Sequence, residues 1–221
     1  MKIAIEKHLA SSLNRRDQQP NIELAREIDR QLSENPDHDL VHELLQIARS
    51  GRKAARYDAV KVIYELGRMN PLHVTPFAEQ IITLANTRDS RMIWAILQVL
   101  NILCDFEPAL LMNNLNQLLA ATDRSSVIAS DNMMKILAKL NNIEDFSQTI
   151  TPILLQRLTY SAPNQFPTYA ELAAATIPGK NREQLLRIID KRLTAIASGS
   201  KRKRLLRTRQ NLSSQNTSGL N

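Results

Sequence analysis

Shifting the chain against itself by 37 residues brings its apolar positions into register. Val41, Leu44, Leu45 and Ala48 fall on Ala78, Ile81, Ile82 and Ala85, and these fall on Leu115, Leu118, Leu119 and Thr122. The spacing i, i+3, i+4, i+7 is one face of an α-helix. A second set repeats at the same interval: Val60, Ile63, Leu66 and Gly67, then Leu97, Leu100, Leu103 and Cys104, then Met134, Leu137, Leu140 and Asn141. Each 37-residue unit therefore reads as a helix–turn–helix pair, and three such pairs are predicted over 38–69, 75–104 and 108–141. "SGRKA", "NTRDS" and "ATDRSS" are the polar turns inside the pairs. One pair cannot bury its apolar face alone, so neighbouring pairs must stack to form a core.

Helix punctuation follows the same register. Pro71 and Pro108 each come just after a second helix, and Thr75 before Pro76 reads as an N-cap with proline at the first helical position. Less regular helices flank the repeats. Residues 1–37 are expected to form a degenerate pair, 2–13 and 21–33, divided by "NRRDQQP", with Ile22, Ala25, Ile28 and Leu32 facing inward. Residues 142–198 are expected to hold helices over 146–159, from the capping-box spacing Thr168/Glu171 to about 176, and over 182–197. "SAPNQFP" and "IPGKN" separate these helices, and Ser198, Gly199 and Ser200 close the last one.

The stretch "RYDAVKVIYELG" (56–67) and the segment Ile82 to Asp89 resemble HEAT or armadillo-type repeats, in which a basic residue precedes small and branched apolar residues and a Leu-Gly pair. The resemblance covers 38–141. The third unit departs from it, with Thr122 and Asn141 where the earlier units have small residues. The resemblance implies an all-α fold, a right-handed α-α superhelix of HEAT-like helix pairs whose second helices line a concave surface. It also implies a class of proteins that mostly bind other proteins, sometimes bind nucleic acid, and are in a few cases enzymes.

Composition agrees with helices: apolar residues are 43%, aromatics 4%, and glycines number five in 221 residues. The single cysteine, Cys104, cannot form an internal disulfide, which favours a reducing compartment. The first ten residues carry Glu6, Lys7 and His8 where a secretory leader needs an apolar run, and no stretch reaches the length of a membrane span. The expectation is a cytoplasmic protein with no membrane partner. The net charge of +7 is unevenly placed: residues 197–221 hold six basic residues and no acid, which leaves +1 for 1–196.

Motifs for chemistry are incomplete. "HDLVH" places His38 and His42 at i, i+4, a spacing that can share a zinc ion, but no third ligand is suggested. "PGKN" lacks both the upstream glycine and the following Ser/Thr of a phosphate loop. Cys104 falls at a position that asks for a small buried residue, and no histidine is placed beside it. Base excision from DNA, known in one HEAT-like family, needs an acid beside an aromatic cage. Trp94 is followed one turn later by Gln98, not by an acid, which leaves a HEAT-like DNA-repair glycosylase or lyase as a remote third alternative. No catalytic residue, cofactor, metal or small-molecule substrate is implied.

Binding residues are read instead from the outward columns of the second helices. One column runs Lys61, Gln98, Lys135, a second Tyr57, Trp94, Asp131, and others pair Tyr64 with Asn101 and Arg68 with Asp105. Arg56 and Arg91 stand at helix starts and Lys139 near a helix end. If these columns face a concavity, it is mildly basic, with Tyr57, Trp94 and Tyr64 near its middle; the other reading packs Trp94 between units. Trp, Tyr and Arg are the usual anchors of binding hot spots. The first expectation is a non-enzymatic scaffold that takes a protein or peptide partner in this groove. The alternative is a nucleic-acid-binding protein in which Lys201, Arg202, Lys203, Arg204, Arg207 and Arg209 contact phosphates from a basic, polar and disordered tail over 199–221.

Overall fold

A computed structural model of the chain describes residues 4–36, 39–196 and 199–217, with side chains to residue 214. These residues hold thirteen α-helices, three short 3-10 turns and no strand. None of the described helices is long and apolar enough to cross a membrane. The chain divides into two compact units, Met1–Met133 and Met134–Asn221, with the division inside a helix of the third repeat. His38, Ser198 and residues 1–3 and 218–221, all included in sequence-based expectations, lie outside the described residues.

The first unit contains α1 (Ile5–His8), α2 (Gln19–Glu34), α3 (Asp39–Ser50), α4 (Lys53–Met69), α5 (Ala78–Leu84), α6 (Ser90–Leu103), α7 (Pro108–Asn113), α8 (Leu115–Asp123) and the start of α9 (Val127–Asn141). α3 packs on α4 and α5 on α6, the two pairs set by the repeat; α2 packs on α4, α4 on α6 and α3 on α5, so like helices stack on like. The register residues form the core: Leu44, Ile63, Ile81, Leu100 and Leu118 are each at most 1% exposed. Burial of such side chains stabilises the stack by about 1.5–3 kcal/mol each. Gly51 lets α3 turn into α4, because a Cβ there would lie 2.6 Å from the Ile47 carbonyl oxygen.

Three helices differ from the sequence reading, each for a local reason. The helix expected over 2–13 stops at His8 because the amides of Ala10 and Ser11 bond to side chains instead: Ala10 N to Asn21 Oδ1 at 2.9 Å and Ser11 N to Asp58 Oδ2 at 2.8 Å. The segment then turns through Asn14, whose φ of 53° lies in the left-handed region that asparagine tolerates. Thr75 is not an N-cap; its hydroxyl donates to the Pro71 carbonyl at 3.0 Å, residues Thr75–Phe77 form a 3-10 turn, and α5 begins at Ala78. In the third unit the first helix is broken at Asn114, whose amide side chain donates to the Leu110 carbonyl.

The second unit contains the rest of α9, α10 (Glu144–Tyr160), α11 (Phe166–Thr176), α12 (Arg182–Leu193) and α13 (Ser200–Thr217). Asn141, the departure from the repeat, is 3% exposed and takes a joining role: it donates to the Thr176 carbonyl at 2.9 Å and accepts from Thr151 Oγ1 at 2.8 Å. Thr168 is not the N-cap but lies within the first turn of α11, so it forms no capping box with Glu171, whose carboxylate is held by Arg204 instead.

The largest correction concerns the C-terminal segment. It is a helix, α13, packed on α11 and α12, and not a disordered tail. Leu205, Thr208 and Leu212 form a narrow stripe at i, i+3, i+7 and are 0%, 8% and 2% exposed. Its cations brace the unit. Arg204 forms a two-pronged ion pair with Glu171, and Arg209 pairs with Asp190 through Nε at 2.5 Å and Nη2 at 3.2 Å. Arg202 donates to the carbonyls of Leu193, the last residue of α12, and of Ile196 just beyond it, and so ties the start of α13 to the end of α12. Lys201 donates to Asn164 Oδ1 at 3.0 Å.

Candidate ligand-binding cavity between α4 and α6

Consecutive side chains on a helix point about 100° apart, so a stripe at i, i+4, i+7, i+11 stays on one face. α4 presents Tyr57, Lys61, Tyr64 and Arg68 in that order, and α6 presents Arg91, Trp94 and Gln98 at i, i+3, i+7. The two stripes line one cavity of about 360 Å³, with Val60 and Ala95 as its apolar floor and Gln18 reaching in from the segment before α2. Seven of the eleven groove residues read from the sequence meet here.

The other four do not. Arg56, one residue from Tyr57, is rotated onto another face; its Nε donates to the Ala48 carbonyl at 3.2 Å, and it borders a second, polar cavity with Arg49 and Thr83. Asn101 is half-buried on α6 and does not line the cavity. Lys135, exposed, and Lys139, half-buried, belong to the second unit. Trp94 is half-buried and lines the cavity, between the two extremes of full exposure and full burial.

Besides the apolar Val60 and Ala95, two polar participants were missed. Glu65 is 7% exposed and lies at the centre of the charge arrangement: its Oε1 accepts from Lys61 Nζ at 2.5 Å and its Oε2 from Arg68 Nη1 at 3.1 Å. The i−4 and i+3 spacing of the two cations was the available signal. Gln18 is held by its Oε1, which accepts from Asn21 Nδ2 at 2.9 Å. Asn21, fully buried, also donates to Asp58 Oδ1 at 2.8 Å, so the network that ends α1 early also positions Gln18.

The aromatic rings are covered by the protein's own cations. Arg91 stacks over Tyr57 at 4.3 Å from the ring centre, and Lys61 and Arg68 stand over Tyr64 at 5.0 and 5.8 Å. The Tyr57 hydroxyl donates to Asp89 Oδ2 at 2.6 Å, while Asp89 Oδ1 caps α6 by accepting from the amides of Arg91 and Met92 at 3.0 and 3.2 Å. Burial, then the Asp89 carboxylate, push the Tyr57 phenol above its ordinary range. Burial alone would raise Asp89, but the Tyr57 hydroxyl and the two amides outweigh it and hold this carboxyl below its ordinary range. One aspartate thus fixes the start of α6 and the ring of Tyr57 together.

An acid does stand beside the aromatics here, supplied by α4 and not by the turn after Trp94. Both of its oxygens are already engaged by cations, so the arrangement holds charge in place. Elsewhere, His42 packs edge-on against Phe77 with ring centres 4.8 Å apart, Cys104 is buried at 2% exposure, and no group of three metal-ligating side chains occurs among the described residues. No protein-family model, curated protein or solved structure matches the chain.

Proposed function

We propose that this chain is a HEAT-like binding scaffold, with no catalytic step of its own, that receives a protein or peptide partner in the α4–α6 cavity. What supports the superhelical reading is the 37-residue register together with the stacking of α2 on α4 on α6 and of α3 on α5. The observation that carries the binding reading is the meeting of Tyr57, Tyr64 and Trp94 with Lys61, Arg68 and Arg91 around one cavity. Aromatic and guanidinium groups in a partly enclosed pocket are where binding energy concentrates. Its volume lies at the lower end of the range for ligand sites and suits one or two inserted side chains.

Trp94 is the only tryptophan, so its emission reports on the cavity without a label. An immobilised library of random peptides should retain a subset that shifts Trp94 emission, and the double variant Trp94→Ala, Lys61→Glu should fail to hold that subset. Equal retention by wild type and double variant would remove the cavity as the binding site.

A further inference from the structure

Resting on that reading, we infer that the occupant of the α4–α6 cavity is an acidic peptide, with an Asp or Glu side chain entering between Arg91 and the Lys61–Arg68 pair beside an apolar neighbour.

The donor and acceptor inventory of the lining points this way. Lys61, Arg68, Arg91 and Trp94 can only donate hydrogen bonds. Glu65, which can only accept when ionised, has one oxygen engaged by Lys61 and the other by Arg68. Gln18 has its carbonyl oxygen engaged by Asn21, which leaves its N–H₂ group to offer. Tyr64 and Gln98 can donate or accept, so the lining as a whole offers more donors than acceptors and is matched by a guest made of acceptors.

Charge selects the same class. Three cations against one carboxylate leave the lining at a formal +2. A Tyr–Trp–Tyr set with a glutamate would otherwise suggest a cage for an ammonium group. Here Arg91 occupies the face of Tyr57, and Lys61 and Arg68 occupy that of Tyr64, so a cationic guest meets covered rings and like charge. The guest is also not densely charged. Glu65 sits between two of the cations and repels a phosphate dianion more than a single carboxylate. Val60, Ala95 and the indole of Trp94 offer apolar contact to a side chain next to that carboxylate.

Glu65 gives the inference a direction that a merely sticky surface lacks. Replacing it by glutamine raises the lining charge by one and releases donors on Lys61 and Arg68 from their internal partner. An anionic guest should then bind more tightly and a cationic guest less tightly.

The test is a titration followed by Trp94 emission and by fluorescence polarisation. It uses four labelled probes: a twelve-residue peptide of alternating Glu and Leu, its Gln and Lys counterparts, and a single-stranded oligothymidine. The acidic peptide is expected to bind best, with a Kd that weakens as salt rises, roughly 5- to 20-fold weaker in Arg91→Gln and several-fold tighter in Glu65→Gln. Thermal melts of both variants keep a folding defect from passing as a binding effect, and Arg68→Gln provides a second cation variant if Arg91→Gln melts early. Preference for the Lys peptide, preference for the oligothymidine, equal binding of Glu and Gln peptides, or weaker binding of the Glu peptide to folded Glu65→Gln would each overturn the inference. If a library peptide still requires Trp94 and Lys61 but is not acidic, the cavity stands as the binding site and only its chemistry is revised.

Discussion

Arg91 on α6 and Arg209 on α13 carry the same charge in different employment. Arg209 is matched by Asp190 at 2.5 Å, and its neighbour Arg204 by Glu171, so these cations hold α13 to its own unit. Arg91 stacks on a tyrosine at the mouth of a cavity whose cations outnumber its carboxylates. The C-terminal segment holds the densest charge in the chain, yet four of its six basic side chains are engaged within the protein. Lys203 and Arg207, one turn apart, remain exposed. Density of charge along a sequence measures solvation and pairing as readily as it measures a partner; what marks a site is a cation excess facing an enclosed space.

The two regions break differently. The largest expected effect is on stability at the C-terminus. Ending the chain after Gly199 removes Leu205 and Leu212 from the second unit, and with large buried side chains worth about 2–5 kcal/mol each it should lower a urea or thermal midpoint substantially. An unchanged midpoint would return 200–217 to the status of a loose tail. Leu205→Ala alone should cost about 2–4 kcal/mol by the same measurement, and a cost below about 0.5 kcal/mol would contradict the packing of α13. Arg204→Gln and Arg209→Gln remove partly exposed ion pairs and should each cost no more than about 1 kcal/mol, less in high salt.

Near the cavity the order reverses, with small effects on stability and large ones on binding. Tyr57→Phe removes the hydroxyl bond to Asp89 and should change stability by about 0.5–1.5 kcal/mol. Its pH dependence has two arms. Asp89 titrates lower when folded than its ordinary 3.8, so the stability it adds is complete above that value and is lost as pH falls through the depressed folded value. Tyr57 titrates higher when folded than its ordinary 10.0, so its contribution is complete below pH 10 and is lost as pH rises through the raised folded value. Chemical denaturation of wild type and Tyr57→Phe from pH 3 to pH 11 checks both arms; parallel curves across the whole range would contradict the coupling.

Much of the first unit was legible because its apolar residues repeat at a fixed interval, and a repeated face can be buried only against its neighbour. Leu44, Ile81 and Leu118 share one register position and are all fully buried. The cavity's α4 and α6 stripes were legible for the same reason: Tyr57 and Trp94, or Lys61 and Gln98, are one repeat apart. Glu65 was not, since its register mate is Ile102 and the position reads as core; burial of its carboxylate depends on two cations that also line the cavity. Gln18 required the side-chain bonds of Asn21 and Asp58, which no periodicity encodes. α13 was misread because three small-to-medium residues at i, i+3, i+7 make a narrow stripe. Its cations also find their carboxylates 33 and 19 residues back, at distances along the chain that composition does not reveal.

We propose that binding resides in the α4–α6 cavity and not in the most basic segment. Two double variants that remove equal charge separate the two regions: Lys61→Gln with Arg91→Gln, and Lys203→Gln with Arg207→Gln, each titrated with the same labelled Glu–Leu peptide at one salt concentration. The cavity variant should bind at least about 10-fold more weakly than wild type and the α13 variant within about 2-fold, because only the first pair faces an enclosed space. Equal losses, or a larger loss from the α13 pair, would place binding outside the cavity.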